Sequence, residues 1–220
     1  MVILTYILVA FAAYLIGSIP TGYLVARAKG VDIRSVGSGN IGATNVFRIL
    51  GKGPGMFVLG MDAFKGWVGC GVLPVMIESM MRNHAPGAHP RNEVLIVLGG
   101  VCSILGHNYT CWLNFKGGKG IATSAGVLIA MIPMAFVISF STWGIVLAIS
   151  RYVSLASVAA AAILPFAAWW AGSSPLMIAM ASLMGGLAIY KHKANIRRLL
   201  NGTENRVGEK KPVESTDTNS

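Results

Sequence analysis

Long apolar segments alternate with shorter polar stretches along the whole chain. Crossing a hydrocarbon core of about 30 Å takes roughly 20 apolar residues in an α-helix, and several segments reach that length. The alternation therefore predicts an all-α integral membrane protein. The apolar segments cover approximately residues 2–26, 54–80, 93–112, 121–150, 152–171 and 175–190, and the polar stretches cover residues 27–53, 81–92, 113–120 and the tail from 191.

The segment 121–150 decides how many times the chain crosses the membrane. It has 30 residues and contains Pro133, and proline disrupts a helix interior because it lacks an N–H and its ring clashes with the preceding turn. One tilted helix gives six crossings, whereas two helices broken near Pro133 give seven. Each half would be only ~18–25 Å long at ~1.5 Å per residue, so length alone favours one helix.

The distribution of charge favours two helices. Lys and Arg concentrate in the cytoplasmic loops of membrane proteins. If the stretch 27–53 is cytoplasmic, seven crossings place 15 of the 18 Lys and Arg residues inside, with Arg82 and Arg91 outside and Lys65 within a span. Six crossings would move the basic tail to the outside. We therefore predict seven transmembrane helices, with a periplasmic N-terminus and a cytoplasmic C-terminus.

Composition supports a membrane location. Hydrophobic residues make up 54% of the chain and charged residues 12%, which is too apolar for a soluble domain of this length. The net charge of +10 follows from basic residues in cytoplasmic loops, so no nucleic-acid partner is predicted. Residues 1–204 are predicted to form one membrane domain, and the polar stretch 205–220 is predicted to be a disordered cytoplasmic tail.

Neither a metal nor a cofactor is predicted. No spacing of His, Cys, Asp and Glu is typical of a metal site. The three cysteines lie in or beside apolar segments, where we expect them to act as small buried hydrophobic residues. None of the eight acids lies near a second one in the glycine-rich stretches, which argues against chemistry by paired carboxylates.

The stretch 37–45 follows the first apolar segment and is rich in glycine. It contains the pattern G-x-G-x-x-G from Gly37 onward, but a dinucleotide-binding loop needs a strand–turn–helix unit and a solvent-facing acid. The acid 20 residues further on, Asp62, lies inside an apolar segment. Closely spaced glycines can still point backbone N–H groups at an anion, and Arg48 can donate two hydrogen bonds to a phosphate. A flexible loop between helices is an equally good interpretation.

The stretch 115–120 repeats this chemistry just before an apolar segment. Backbone amides at a helix N-terminus form an anion site together with nearby ammonium groups. Lys116 and Lys119 can also serve only as cytoplasmic anchors, but anchoring does not require three glycines among four residues. The pattern favours phosphate binding by Gly117, Gly118, Lys119 and Gly120.

Two histidines lie close to the ends of apolar segments. His107 is more readily interpreted as a structural hydrogen-bonding residue than as a catalyst. His192 and Asn195 are three residues apart, so they share one face if the last helix continues. A basic segment that ends the last span is the plainer interpretation, but an aligned His and Asn favour a function.

Two further polar pairs have ordinary structural explanations. Asp62 and Lys65 are three residues apart inside the second apolar segment. Charges within a membrane often mark function, but a mutually neutralised structural pair is the favoured interpretation here. Ser154 and Ser157 lie at the start of a predicted helix, where capping is their usual role.

These patterns together resemble those of the bacterial acyl-phosphate:glycerol-3-phosphate acyltransferase family. The similarity extends over about residues 10–204. Thr110 departs from the family, which usually has proline at this position, and the tail beyond about Arg206 has no counterpart in it. The first family motif is similar to residues 17–20 and 36–48, the second to residues 106–120, and the later ones to residues 152–157 and to His192, Asn195 and Glu204.

The resemblance implies a seven-helix enzyme of the bacterial inner membrane whose active site faces the cytoplasm. It implies transfer of a fatty acyl group from acyl phosphate to the 1-hydroxyl of sn-glycerol 3-phosphate. The products would be lysophosphatidic acid and phosphate, as the first step of phospholipid synthesis. Members of this family use neither acyl-CoA nor acyl carrier protein as donor. Contact with the enzyme that forms acyl phosphate is a further expectation.

The expected site combines this resemblance with the residue patterns. We expect catalytic roles for Ser38, Arg48, His192 and Asn195, substrate binding by Gly37, Gly39, Asn40, Gly117, Gly118, Lys119, Gly120 and Ser157, and supporting roles for His107, Asp62, Lys65 and Glu204. Whether His192 or the substrate's own phosphate accepts the hydroxyl proton stays open. The alternative function is a membrane transporter for a phosphorylated anion, which would also place glycine loops and cations among helices.

Overall fold

The computed structural model describes residues 2–81 and 92–208, and the regular structure within these ranges is helical throughout. The predicted all-α class is confirmed for these residues. A π-helical turn (Val68–Val72) joins α4 to α5, and a 3₁₀ turn (Cys111–Leu113) follows α6. The α-helices are α1 (Val2–Ser18), α2 (Thr21–Arg27), α3 (Ala43–Leu50), α4 (Lys52–Trp67), α5 (Leu73–Met81), α6 (Glu93–Asn108), α7 (Ile121–Met131), α8 (Pro133–Ser150), α9 (Val153–Trp170), α10 (Pro175–Lys191) and α11 (Lys193–Leu200).

Several helices have the length and composition of membrane spans, as the sequence predicts for an integral membrane protein. Two more apolar helices, α7 and α10, are shorter. The count of seven crossings and the orientation of the termini stay predictions, and Arg82 and Arg91, which enter the charge count, lie outside the described residues. Within the described ranges, the long apolar stretches are Val2–Arg27, Lys52–Met81, Glu93–Leu113, Pro133–Ser150 and Val153–Trp170.

The segment 121–150 is broken in two next to its proline. Ile132 has φ −135° and ψ 70°, which is not helical, so α7 ends at Met131. α8 then begins with Pro133 in its first turn, where the missing N–H costs nothing because that group has no helical partner anyway. The prediction of two helices is confirmed, and the single tilted helix that length alone favoured is excluded.

The first span is interrupted at Pro20, and α4 stabilises the interruption. Lys65 donates a hydrogen bond of 2.9 Å from Nζ to the carbonyl oxygen of Ile19, between α1 and α2. The same Nζ lies 2.8 Å from Asp62 Oδ1, and both side chains are buried. This buried ion pair holds α4 against the break in the first span, which supports the structural interpretation of Asp62 and Lys65.

Small residues allow the helices that flank the site to pack closely. A Cβ at Gly17 on α1 would lie 2.1 Å from the carbonyl oxygen of Ser103 on α6. A Cβ at Gly126 on α7 would lie 1.8 Å from the carbonyl oxygen of Ala63 on α4. Glycine lets helix backbones approach in this way, and such contacts replace the hydrophobic effect as the source of packing in a membrane. α1, α4, α6 and α7 therefore form one tightly packed group.

A small apolar core lies under the polar segments at one end of this group. Residues from α2, α3, α4 and the turn after α6 meet there with almost no exposed surface. Burial of these side chains fixes α3, which is too short and too polar to be stable alone. The members of this core are Ala26, Ile33, Ile41, Ala43, Val46, Val58 and Leu113.

Candidate functional site

Asn45 on α3 organises the first loop, which we define as residues 28–42. Its Oδ1 accepts a 2.9 Å hydrogen bond from the backbone N–H of Ser38. Its Nδ2 donates to the carbonyl oxygens of Ile33 and Val36, at 3.2 and 3.1 Å. Asn45 is only 1% exposed, so water does not compete for these bonds. The first loop therefore has a fixed shape rather than being a flexible linker.

The same asparagine brings Ser38 and Arg48 together. Arg48 donates a hydrogen bond of 3.4 Å from Nη1 to Asn45 Oδ1, the atom that also binds the Ser38 amide. Ser38 is exposed and stands between Gly37 and Gly39, whose φ angles are +61° and +68°. Glycine adopts this left-handed region without steric cost, so the two glycines form the turn that leaves Ser38 exposed.

The amides of the first loop are only partly available to an anion. The N–H groups of Ser38 and Gly39 are bound to Asn45 Oδ1 and to the carbonyl oxygen of Val36. Asn40 Oδ1 accepts a hydrogen bond of 2.8 Å from the Gly42 N–H, so this side chain shapes the loop. Among the hydrogen bonds of the described residues, none uses the N–H of Gly37 or Asn40. These two amides are the ones that can face a phosphate.

The second loop, residues 114–120, packs its glycines against the end of α6. Gly117 and Gly118 donate their N–H groups to the carbonyl oxygens of Asn108 and His107, at 3.2 and 3.0 Å. A Cβ at Gly118 would lie 2.1 Å from His107 Nε2, so only glycine fits there. These two amides are bonded within the protein, and a substrate-binding role for Gly117 and Gly118 stays a prediction.

The backbone N–H groups of the second loop that can still bind an anion belong to Lys119 and Gly120. Gly120 has a φ of +79° and immediately precedes α7. Within the described ranges, no hydrogen bond occupies the N–H of Lys119 or Gly120. Together with the first turn of α7 these groups form a helix N-terminus, where backbone N–H groups and the helix dipole favour negative charge. The backbone N–H groups of Lys119, Gly120 and the first turn of α7 are thus the ones available to a phosphate, and phosphate binding by this loop stays a prediction.

A chain of hydrogen bonds joins the second loop to α11 and the tail. Lys119 Nζ donates to Asn195 Oδ1 at 2.5 Å, and Asn195 Nδ2 donates to Glu204 Oε1 at 2.7 Å. Glu204 also accepts hydrogen bonds from Ser154 on α9, at 2.9 Å, and from Arg198, at 2.6 Å. Glu204 is thus the acceptor that fixes Asn195, and Asn195 in turn fixes the Lys119 ammonium group.

Charges in this network alter the ionisation of its members. Burial lowers the pKa of Lys119 to about 8, aided by repulsion from Arg198 and Arg48 and opposed by attraction to Glu204. Burial alone would raise the pKa of Glu204, but its hydrogen bonds lower it, so this carboxylate stays ionised. Because Leu113, just before the second loop, lies in one core with Ile33 and Ile41 of the first loop, the two loops lie at the same end of the helix bundle.

His192 lies between α10 and α11 and is almost fully buried, at 3% exposure. Its Nδ1 is 2.8 Å from the carbonyl oxygen of Ala188, which assigns the proton of the neutral ring to Nδ1 and leaves Nε2 as an acceptor. Burial lowers the pKa of His192 to about 4, and the nearby Lys119 contributes by repulsion. His192 is therefore uncharged at neutral pH, with Nε2 able to accept a hydrogen bond from a substrate hydroxyl.

Two serines of α9 do not have the role that the sequence suggests. The helix begins at Val153 with Tyr152 as N-cap residue, and no side chain caps it. Ser154 instead binds Glu204. Ser157 donates to the carbonyl oxygen of Val153 at 2.8 Å and accepts a hydrogen bond of 3.3 Å from Trp143 Nε1. The capping interpretation is wrong, and a substrate-binding role for Ser157 stays a prediction.

His107 lies beneath the second loop in a buried polar group. Its Nδ1 is 3.7 Å from Asp62 Oδ1, and its carbonyl oxygen binds the Gly118 amide. His107, Asp62 and Lys65 thus support the loop from within the bundle. Within residues 2–81 and 92–208, no three His, Cys, Asp or Glu side chains lie close enough together to hold a metal ion.

Comparison with known proteins identifies the family of this chain. A family profile described as glycerol-3-phosphate acyltransferase matches residues 7–202. The chain belongs to the glycerol-3-phosphate acyltransferase family. Two relatives of that name, from Geotalea daltonii and Desulforamulus reducens, are 44% identical over 199 residues and 42% identical over 215 residues. The alignments cover 90% of this chain and 96% of the first relative, and 96% of this chain and all of the second.

Solved structures of this glycerol-3-phosphate acyltransferase family share the fold. One is the crystal structure of PlsY (YgiH), described as an integral membrane glycerol 3-phosphate acyltransferase in its glycerol 3-phosphate form, with a TM-score of 0.80 and 39% identity over 92% of this chain and 96% of that one. Its lysophosphatidic acid form gives a TM-score of 0.78 and 38% identity, over 92% and 95% of the two chains. The resemblance inferred from the sequence is confirmed at the level of the family.

The departure from the family pattern at Thr110 has a structural role. Thr110 Oγ1 donates to the carbonyl oxygen of Ser18 at 2.5 Å and accepts a hydrogen bond of 3.3 Å from the Trp112 N–H. The side chain is 1% exposed. Thr110 therefore ties the turn after α6 to the end of α1, and none of its hydrogen bonds within the described residues goes to an expected site residue.

Asn45 appears in the glycine-rich stretch, but the sequence alone did not mark it as a site residue. We expect Asn45→Ala to lower kcat/KM about tenfold and stability by about 2 kcal/mol, because it leaves the Ser38 amide and the Ile33 carbonyl oxygen without their partner and removes one of the two hydrogen bonds to the Val36 carbonyl oxygen. Steady-state kinetics and thermal unfolding in detergent measure both effects. Thr44→Ala, at an exposed neighbouring position of α3, is the matched control. Equal activity of the two variants would exclude the organising role of Asn45.

Proposed function

We propose that this protein transfers a fatty acyl group from acyl phosphate to the 1-hydroxyl of sn-glycerol 3-phosphate. The observation that carries the proposal is the placement of the cations: Lys119 donates to Asn195, three residues after His192, and Asn45 holds Arg48 at the first loop, which shares a core with the turn before the second loop. Similar solved structures are described as glycerol 3-phosphate and lysophosphatidic acid forms, which supports the acceptor and the product. The resemblance of the sequence motifs supports acyl phosphate as donor.

Two cationic groups suit two phosphorylated substrates. Like unit charges ~4 Å apart repel by ~4 kcal/mol at an effective dielectric constant of 20. Arg48 and Lys119 offset this repulsion, since each supplies a positive charge where a phosphate must lie. The same charges stabilise the negative charge that develops on the carbonyl oxygen and on the departing phosphate.

The reaction requires no covalent enzyme intermediate. The oxygen of the glycerol 1-hydroxyl attacks the acyl carbonyl carbon, an ester C–O bond forms, and the C–O bond to phosphate breaks. Inorganic phosphate leaves with the bonding electron pair, and the hydroxyl proton passes to a base. Because acyl phosphate is a mixed anhydride with a good leaving group, Ser38 is assigned to hold a phosphate oxygen rather than to act as a nucleophile.

The pH dependence of kcat/KM distinguishes the two candidate bases, the substrate phosphate and His192. A phosphate monoester has a second pKa of about 6, whereas the pKa of His192 is about 4, and a base is most effective when its pKa lies near the working pH. We therefore expect the substrate phosphate to accept the proton, with His192 Nε2 orienting the hydroxyl. In this case kcat/KM falls as the pH drops below about 6.

The rate of acyl transfer, measured between about pH 3.5 and 8, checks this expectation, because this range includes the pKa values of both candidate bases. The same measurement is repeated with a phosphonate analogue of glycerol 3-phosphate that has a higher second pKa. If the substrate supplies the base, kcat/KM for the analogue must begin to fall at a higher pH. If kcat/KM instead falls only near pH 4, and falls at the same pH with the analogue, His192 is the base.

We also propose seven transmembrane helices in the bacterial inner membrane, with the site at the cytoplasmic end. The five long apolar stretches and the two shorter helices α7 and α10 support this count. The basic residues around the loops support the orientation. A site at the cytoplasmic surface would also allow contact with the enzyme that forms acyl phosphate.

One assay separates the proposal from a transporter of phosphorylated anions. Purified protein in detergent receives acyl phosphate with glycerol 3-phosphate, and formation of phosphate and lysophosphatidic acid is followed. An acyltransferase needs no sealed compartment, so turnover in detergent is expected, whereas acyl-CoA and acyl carrier protein thioesters are expected to be inactive. Absence of turnover in detergent, together with uptake of glycerol 3-phosphate into proteoliposomes, would favour the transporter.

A further inference from the structure

The end of α10 is attached to the end of α6 by a single lysine. Lys191, the last residue of α10, donates a hydrogen bond of 3.0 Å from Nζ to the carbonyl oxygen of Asn108. The ammonium group also lies 4.4 Å from the centre of the Tyr109 ring. Asn108 is the last residue of α6, where carbonyl oxygens lack helical partners and the helix dipole favours a cation. Lys191 satisfies both requirements at once.

The acceptor of this bond is shared with the second loop. The carbonyl oxygen of Asn108 also accepts the N–H of Gly117, at 3.2 Å. Asn108 is fully buried, so its position is set by these contacts. At the other end of the connection, Lys191 immediately precedes His192. One carbonyl oxygen therefore links the start of the glycine segment to the residue next to His192.

We propose that Lys191 is a positioning residue that holds the second loop and His192 at a fixed separation. This inference rests on the proposed function, because that function assigns the second loop to glycerol 3-phosphate and His192 to its hydroxyl. A substrate bound at both points needs the two elements in register, and small displacements of positioned groups cost large factors in rate. Lys119 and Asn195 form a second connection, at the other end of the loop, so loss of Lys191 distorts the site without detaching it.

Lys193 provides a matched control on the same stretch. It is exposed, and its Nζ lies 3.4 Å from the hydroxyl of Tyr190 and 4.7 Å from the centre of that ring. Lys191→Met and Lys193→Met each remove one positive charge and leave an unbranched side chain. If Lys191 only contributes to the positive-inside bias, the two variants should have the same effect on substrate binding. If Lys191 is a positioning residue, only Lys191→Met should weaken it.

The experiment measures KM for each substrate separately, together with binding of glycerol 3-phosphate by calorimetry. We expect Lys191→Met to raise the KM and the Kd for glycerol 3-phosphate about tenfold, the loss typical of a hydrogen bond from a charged group. The KM for acyl phosphate should change less than about twofold. Lys191→Arg should recover to within about threefold, because arginine keeps a donor and a cation over the ring.

A second variant keeps the test independent of folding. Tyr109→Leu removes the ring under the ammonium group, and we expect it to raise the KM for glycerol 3-phosphate a few fold. Combined with Lys191→Met it should add almost nothing, because both changes act through one contact. Full additivity, an equal effect of Lys193→Met, or no recovery in Lys191→Arg overturns the inference. If the unsubstituted protein binds glycerol 3-phosphate without acylating it, the proposed function fails while the calorimetric comparison still tests Lys191.

Discussion

Replacing Arg48 with alanine is expected to lower kcat/KM by a factor of about 10² to 10³ while the protein still folds and inserts into membranes. Arg48 is exposed and makes one described side-chain hydrogen bond, to Asn45, so its loss costs little stability. In the proposed reaction its guanidinium stabilises the charge that develops on the substrates, and it shares Asn45 Oδ1 with the Ser38 amide. Turnover of the purified variant, with thermal unfolding as a check on folding, measures the effect.

Two companion variants make the Arg48 result specific. Arg34→Ala removes an exposed arginine of the first loop, which is paired with Asp32 at 2.7 Å and lies over the Tyr23 ring at 4.8 Å, and we expect nearly full activity from it. Arg48→Lys keeps a positive charge but not the planar fork, so partial recovery is expected. Near-normal turnover of Arg48→Ala would remove Arg48 from the mechanism.

Replacing Lys119 with methionine is expected to lower kcat/KM for glycerol 3-phosphate by about two orders of magnitude, since this ammonium group is the cation at the start of α7. The unsubstituted enzyme should show a related loss at high pH. Burial lowers the pKa of Lys119 from its usual 10.5 to about 8, so the positive charge is present below pH 8 and is lost above it. Because kcat/KM reports the free enzyme, it should fall as the pH rises through 8.

The Lys119→Arg variant isolates this effect. Arginine stays protonated throughout the accessible range, so the high-pH limb should disappear even if the maximal rate is reduced. Lys116→Met, at an exposed position of the second loop, is the control for charge. A high-pH limb that persists unchanged in Lys119→Arg would show that another group is responsible for it.

Much of the fold could be predicted because it depends on local pattern. Apolar length predicted the membrane helices, and Pro133 with the distribution of basic residues predicted the break between α7 and α8. Length alone favoured a single helix over residues 121–150, which is wrong. The reason is that α7 has only 11 residues, which is short for a helix that crosses a bilayer. Glycine packing then holds α7 closely against α4.

The contacts within the site depended on tertiary structure and could not be predicted. Lys119 and Asn195 are 76 residues apart, and no local pattern indicates that they are bonded. Asn45 did leave a signal, since it lies three residues before Arg48 on one helix face. The sequence does not indicate that the Gly117 and Gly118 amides are bonded to the end of α6. A glycine that binds an anion and a glycine that packs against a helix end give the same sequence pattern.

The position of Glu204 has a consequence for biosynthesis. Every other expected site residue precedes it in the chain, and yet its carboxylate fixes Asn195 and, through Asn195, the Lys119 ammonium group. A nascent polypeptide can insert all its apolar segments while the ribosome still covers this glutamate. With the proposed role of Lys119, catalytic competence is expected only after translation has passed the last helix, and a chain interrupted before Glu204 is expected to be membrane-embedded but inactive.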